Sequence, residues 1–202
     1  MRTTRLVYRM TNRSDSGTLA IYWLILKGTL PVSDTTPSDG PRPFTLTCTW
    51  PGQISPSDTD DLLAFWQREG AIPDPQQARA RLSQVVFLAR DAKGEIAGVC
   101  TAMAINPPQL GQPMYFWRSF IAPPWRSTRL IGTFLEKSCE HLGDYAREHD
   151  YPCIGVLLEL ENERFKKAGR KAEWVHPRFA YIGKSPRGLD VRVHYFRGAR
   201  LK

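Results

Sequence analysis

Met114-Tyr-Phe-Trp-Arg-Ser-Phe-Ile-Ala-Pro-Pro-Trp-Arg-Ser-Thr-Arg-Leu-Ile-Gly-Thr-Phe-Leu135 is the stretch on which the fold turns. Its first eight residues, Met114 to Ile121, are mostly aromatic and apolar and read as a strand, and Pro123-Pro124 breaks the chain after them. Beyond that break, Ile131, Leu135, Cys139, Leu142 and Ala146 recur at helical spacing, which predicts a long helix over Arg129 to Glu148 with that face buried. A turn at Tyr151-Pro152 leads to Cys153-Ile-Gly-Val-Leu-Leu-Glu-Leu160, a continuous apolar run of strand length buried on both faces. Strand, crossover helix and strand in this order make a parallel pair.

Toward the N-terminus, Asn106 to Pro113 is a Pro-rich loop, and Val85 to Arg90 and Ile96 to Ile105 flank the turn Asp91-Ala-Lys-Gly94 as an antiparallel hairpin. Phe44-Thr-Leu-Thr-Cys-Thr-Trp50 alternates apolar and polar residues and reads as a strand. Ser57-Asp58 is the expected cap of a helix running through Gln67, and a second helix is expected over Pro75 to Ser83. Toward the C-terminus, a helix over Asn162 to Lys171 precedes strands at Phe179 to Ile182 and Val191 to Phe196. The order is that of an α/β (α+β) mixed sheet, mostly antiparallel with a single parallel crossover. Residues 1–43 differ: an apolar island, Ala20 to Leu26, is followed by the Pro- and Ser-rich Pro31 to Pro43, so they read as an N-terminal extension and linker to a domain over 44–202.

A chain of 202 residues that is 42% hydrophobic and 24% charged excludes disorder as its default state. The longest apolar stretch, Leu19 to Leu26, falls far short of the roughly 20 residues a spanning helix needs. Four scattered cysteines with no CxxC pair read as buried thiols of a reducing compartment, so a cytoplasmic protein is expected, and with four dispersed histidines they offer neither a metal site nor a triad. A net charge of +8 favours polyanionic partners such as phosphorylated cofactors. Nucleic-acid binding rests on that charge alone, since no zinc knuckle, aromatic RNA-binding motif or helix-turn-helix signature is present.

Over roughly Phe44 to Phe196 the element order resembles the GNAT superfamily of acetyl-coenzyme A dependent N-acetyltransferases, and Phe120 to Leu135 resembles that family's pyrophosphate-holding strand, turn and helix. Trp125 and Arg126 match the family's aromatic and Arg. Arg129 and Ile131 stand where it has small residues, with Gly132 nearby. The resemblance implies that acetyl-CoA is bound as co-substrate by Phe120, Ile121, Ala122, Arg126, Ser127, Thr128, Arg129, Leu130, Ile131 and Gly132, using backbone amides at a helix start, and by Asn162 on the next helix. The family's usual Tyr, seven residues after that Asn, is replaced by Gly169, which leaves Tyr181 or a water to protonate the thiolate.

Direct transfer also needs a base for the amine, for which Glu159 and Glu161 at the end of the apolar strand are the candidates, and backbone donors near Phe120 to Ala122 for the thioester carbonyl. Arg118 suits a substrate or structural contact, because a guanidinium does not act as a base. Tyr115, Phe116 and Trp117 read as core rather than as an acceptor pocket, and Arg164 to Lys171 with Arg192, Arg197, Arg200 and Lys202 as a largely solvated basic surface. The expectation is transfer of an acetyl group to a small-molecule or protein amine. The rival readings are a degenerate GNAT-shaped module that holds an acidic partner, and the same fold with another acyl donor. The sequence leaves the oligomeric state open, a homodimer included.

Overall fold

The computed structural model describes residues 42–161 and 171–201. Its strands are β1 (Phe44–Cys48), β2 (Val85–Asp91), β3 (Ile96–Ile105), β4 (Met114–Ile121), β5 (Gly155–Leu160), β6 (Glu173–Val175), β7 (Arg178–Lys184) and β8 (Asp190–Tyr195). The helices are α1 (Pro56–Arg68), α2 (Pro75–Arg81) and α3 (Leu130–Glu148). The strands form one sheet in the order β1-β2-β3-β4-β5-β8-β7-β6, antiparallel except for β4 and β5. The mixed sheet with one parallel crossover is therefore present as the sequence predicts.

Local chemistry sets the element boundaries. The cap of helix α1 lies two residues before the expected one, because the Ser55 hydroxyl accepts from the Asp58 amide at 3.0 Å and Pro56 fits the first helical position. Asp58 is instead drawn to Arg90 on β2, at 2.7 Å. Helix α2 ends at Arg81 and tightens into a 3-10 turn over Leu82–Gln84. β5 begins at Gly155, two residues later than predicted. A side chain there would lie 2.1 Å from the His194 carbonyl oxygen on β8, so only glycine permits this approach.

Helix α3 buries Leu130, Phe134, Leu135, Cys139, Leu142 and Ala146, and Ile131 packs at the margin of the same core. Leu130, Phe134 and Leu142 are fully buried, each contributing about 1.5–3 kcal/mol from water exclusion. One polar anchor crosses this interface: Trp117 Nε1 donates to Ser138 Oγ at 2.9 Å, with Cys100 Sγ at 3.4 Å from the same hydroxyl. Trp117 thus faces α3, whereas Phe120 meets Phe65 of α1 at 5.7 Å and Arg118 donates to Gln84, so α1 and the turn after α2 cover the opposite face of β4.

One difference from the sequence reading lies near the C-terminus. Glu173–Val175 is a strand, β6, paired with β7; three residues are too few to display a period-2 pattern. The helix predicted over Asn162 to Lys171 lies outside the described residues, apart from Lys171 itself, which sits in a bend. Among the described residues no helix is long and apolar enough to cross a membrane.

Candidate active site at the opening between β4 and β5

The parallel ladder between β4 and β5 consists of Tyr115 opposite Val156 and Phe116 opposite Leu157, although β4 continues to Ile121 and β5 to Leu160. Both strands are held firmly on their outer sides. β4 pairs with β3 over its whole length and ends with the Ala122 amide donating to the Ala97 carbonyl at 3.0 Å. β5 pairs with β8 throughout, and the Phe196 amide donates to Ile154 at 2.9 Å. Because backbone groups alternate between the two edges of a strand, these bonds turn the Trp117 carbonyl, the amide and carbonyl of Ser119, the Ile121 amide and the backbone groups of Glu159 toward the opening. A sheet interior that exposes such groups offers hydrogen bonds to an extended ligand.

The turn after β4 closes one end of the opening. Trp125 is buried against Phe44, and Arg126 donates through Nε to the Ile121 carbonyl at 3.0 Å while lying over the Phe120 ring. Thr128 Oγ1 donates to the Trp125 carbonyl at 2.7 Å and accepts from the Leu130 amide at 3.3 Å. Arg129, the residue before α3, gives no side-chain cap, so the first-turn amides of Ile131 and Gly132 remain donors at the positive end of a long helix. Phe120 to Ala122 and Arg126 to Gly132 are thereby continuous along the opening and the start of α3. Arg126, Ser127 and Arg129 are exposed, whereas the Leu130 and Ile131 side chains are committed to the core, leaving their backbones to face outward. Asn162 lies outside the described residues.

The other face of the sheet carries the acidic candidates. Arg187, in the β7–β8 connection, bridges both: Nη1 to Glu159 Oε2 at 3.1 Å and Nη2 to Glu161 Oε1 at 2.9 Å. These contacts raise the Arg187 pKa, first through Glu161. The Glu159 side chain is only 15% exposed and forms part of the wall of a cleft of about 210 Å³, with Asn106, Pro107, Phe116, Leu157 and Ser185 around it. Phe116, read from the sequence as core, is thus also cleft wall, while Tyr115 and Trp117 are core. Tyr181 is exposed on β7, opposite Arg192, which in turn lies opposite Leu158, so it projects from the sheet face opposite that of Glu159. The structure brings Glu159 and Glu161 together and leaves Tyr181 apart from them.

Spacing gave no sign of three participants. Arg187 lies in a Gly- and Pro-containing connection, and Arg81 and Gln84 lie at the end of a short helix far away in sequence. Arg118 Nη2 donates to Gln84 Oε1 at 2.9 Å and lies 3.4 Å from Met103 Sδ, with the guanidinium over the Phe116 ring. Burial lowers the Arg118 pKa and the Arg81 charge lowers it further, against the pull of Glu161 and Glu159. Burial likewise lowers that of Arg81, opposed by Glu161. Arg192, grouped from the sequence with a solvated surface, is buried at 2% exposure. It donates to the Lys171 and Ala172 carbonyls and lies 4.4 Å from the Trp174 ring.

No protein-family profile matches the sequence, and no curated protein does. Similarity appears in three dimensions. An acetyltransferase of the GNAT family from Streptococcus pneumoniae matches with a TM-score of 0.50 and 14% identity over 76% of this chain and 99% of that one. A GNAT family N-acetyltransferase from Escherichia coli, crystallised in complex with CoA, matches with a TM-score of 0.52 and 11% identity over 80% and 86%. The ribosomal-protein-S5-alanine acetyltransferase of Vibrio fischeri gives 0.52 and 10% over 78% and 96%. At such identities the likeness is one of fold: the chain has the GNAT acyltransferase fold that its sequence resembles.

Proposed function

We propose that this chain is an N-acetyltransferase that takes acetyl-CoA into the opening between β4 and β5 and receives an amine from the cleft beside Glu159. The observation that carries this reading is the ladder of β4 and β5 that stops at Phe116 and Leu157, so that β4 runs on unpaired at that edge to the turn before α3, whose Ile131 and Gly132 amides take no side-chain cap. The residues present fit the co-substrate. The Ile131 and Gly132 amides, with Arg126 and Arg129, suit a pyrophosphate, and the free edges of β4 and β5 suit the amide groups of a pantetheine arm. When bound, acetyl-CoA supplies an activated acetyl thioester.

The chain's own residues supply the carbonyl donors and the base, and water is left to protonate the departing thiolate as the C–N bond forms and the C–S bond breaks, since Tyr181 projects from the face opposite that of Glu159. Amides on the opened edge of β4 are fixed donors for a carbonyl oxygen that gains negative charge, and donors of this kind stabilise such charge without reorganisation. Glu159 Oε2 is engaged by Arg187, which orients the carboxylate and leaves Oε1 to take the proton of an attacking amine. The partial burial of Glu159 keeps bulk water from competing for that proton. The test is release of free thiol from acetyl-CoA by the purified protein with a panel of amines. Turnover that saturates in acetyl-CoA and falls about 100-fold or more in Glu159→Gln supports the reading. Binding of CoA without turnover leaves a binding module of the same fold, and absence of both refutes the proposal.

A further inference from the structure

We infer that the acceptor carries a carboxylate as well as an amine, and that Arg118 and Arg81 form the subsite for the carboxylate. This rests on the reading of the opening as an acyltransferase site and goes beyond it by naming the acceptor's chemical class.

Arg81, at the end of α2, lies near enough to Arg118 for its charge to act on it. Arg118 is on β4, beyond the point where pairing with β5 stops, and its Nη2 is bonded to Gln84, which sits one 3-10 turn after Arg81. Among the described residues neither arginine has a carboxylate partner. Arg118 is satisfied only by a neutral amide oxygen, a thioether sulfur and an aromatic face, and its Nε is buried with no hydrogen-bond partner. Half-buried cations without a bonded counter-ion are costly, and the Arg81 charge adds its repulsion to that of Arg118. The nearby carboxylates relieve this only in part, because Glu159 and Glu161 both act on these cations from a distance while being bonded to Arg187. Among the described residues three guanidiniums therefore bear on two carboxylates, and the excess positive charge lies with Arg81 and Arg118.

An anion delivered from solution fits that side, and charge-assisted, bidentate hydrogen bonding by arginine suits a carboxylate. The opposite side, where Glu159 Oε1 has no hydrogen bond among the described residues, suits an ammonium group. A small zwitterion such as an α-amino acid matches both sides at once. Its carboxylate would fill the vacant donors of Arg118 while its amine lay toward Glu159, which also restricts the amine to one orientation.

The experiment uses the full chain with acetyl-CoA and matched acceptors: amino acids, their α-carboxamides and the corresponding decarboxylated amines. The expected result is a kcat/KM for the acids roughly 10- to 100-fold above that for the amides, the size set by a hydrogen-bonded charge pair. In Arg118→Gln and Arg81→Gln the ratio of acid to amide falls toward one through a higher KM for the acid, and Arg118→Lys restores part of it. Calorimetric binding of N-acetylglycine to the protein without CoA gives a second readout, expected to weaken at least tenfold in Arg118→Gln. An unchanged acid-to-amide ratio in both variants, or amides used as well as acids by the wild type, overturns the inference while leaving the acyltransferase reading intact. So does a change that appears only in the choice between acetyl-CoA and an acidic donor such as succinyl-CoA. Failure of acetyl-CoA to bind or turn over refutes the acyltransferase reading instead; the carboxylate subsite then stands or falls on N-acetylglycine binding alone.

Discussion

Glu159 and Arg187 form the contact on which the chemistry of this site depends. Replacing Arg187 by Ala leaves Glu159 in place but unoriented, so kcat is expected to fall by less than in Glu159→Gln, and steady-state kinetics of the two variants against one acceptor checks the order. A second residue-scale expectation concerns His141, whose Nε2 lies 3.3 Å from Cys48 Sγ beneath the edge of the Phe87 ring. Burial lowers its pKa below the ordinary value of about 6.5, more than Asp144, Glu148 and Glu140 raise it, and burial raises that of Cys48, so the two meet as neutral groups. The unfolded chain then binds the proton more readily than the folded one. The stability linked to His141 is present above about pH 6.5 and is lost as the pH falls below it toward the folded value. Urea unfolding at pH 7 and pH 5 is expected to show a smaller loss of stability in His141→Gln than in the wild type. At this scale the sequence was partly legible. Glu159 and Glu161 stand out as the polar end of an apolar run, but nothing in the spacing ties either of them to Arg187, which reaches them through a loop.

Elements explain why the opening exists. β4 and β5 are each zipped to an outer neighbour and joined to each other only near Tyr115 and Phe116, so the sheet's twist separates them beyond that vertex. Gly155 lies at the vertex against β8, and Gly155→Ala is expected to cost about 1–3 kcal/mol or more, lowering the melting temperature by about 2–4 °C per kcal/mol. Ser138→Ala tests the opposite side of the vertex, where α3 is bound to the sheet: it leaves the buried Trp117 Nε1 without its acceptor and is expected to cost about 1–3 kcal/mol in denaturant unfolding. The bounds of β3 and β4 follow directly from the residues, because apolar runs between clear turn and loop signals are strong there. The start of α1 does not, since Ser55, Ser57 and Asp58 are all competent caps and the choice falls to Pro56 and to the pull of Arg90 on Asp58. β6 is invisible in sequence because its pairing with β7, rather than its own composition, makes it a strand.

For the molecule as a whole, element order carried the fold, since a single parallel crossover in an otherwise antiparallel sheet admits few topologies. Residue identity carried less. Two of the small residues that the pyrophosphate turn has in the family are Arg129 and Ile131 here, and the site is legible only once the backbone of α3 is seen to start uncapped beside the separated strands. Hydrogen exchange of the full chain, with and without saturating acetyl-CoA, tests this directly. The account predicts slowed exchange confined to the opened edge of β4, residues 117–121, the first turn of α3, residues 129–133, and the end of β5, with β1 and β2 unchanged. Unaltered exchange in residues 117–133 at millimolar acetyl-CoA would contradict it.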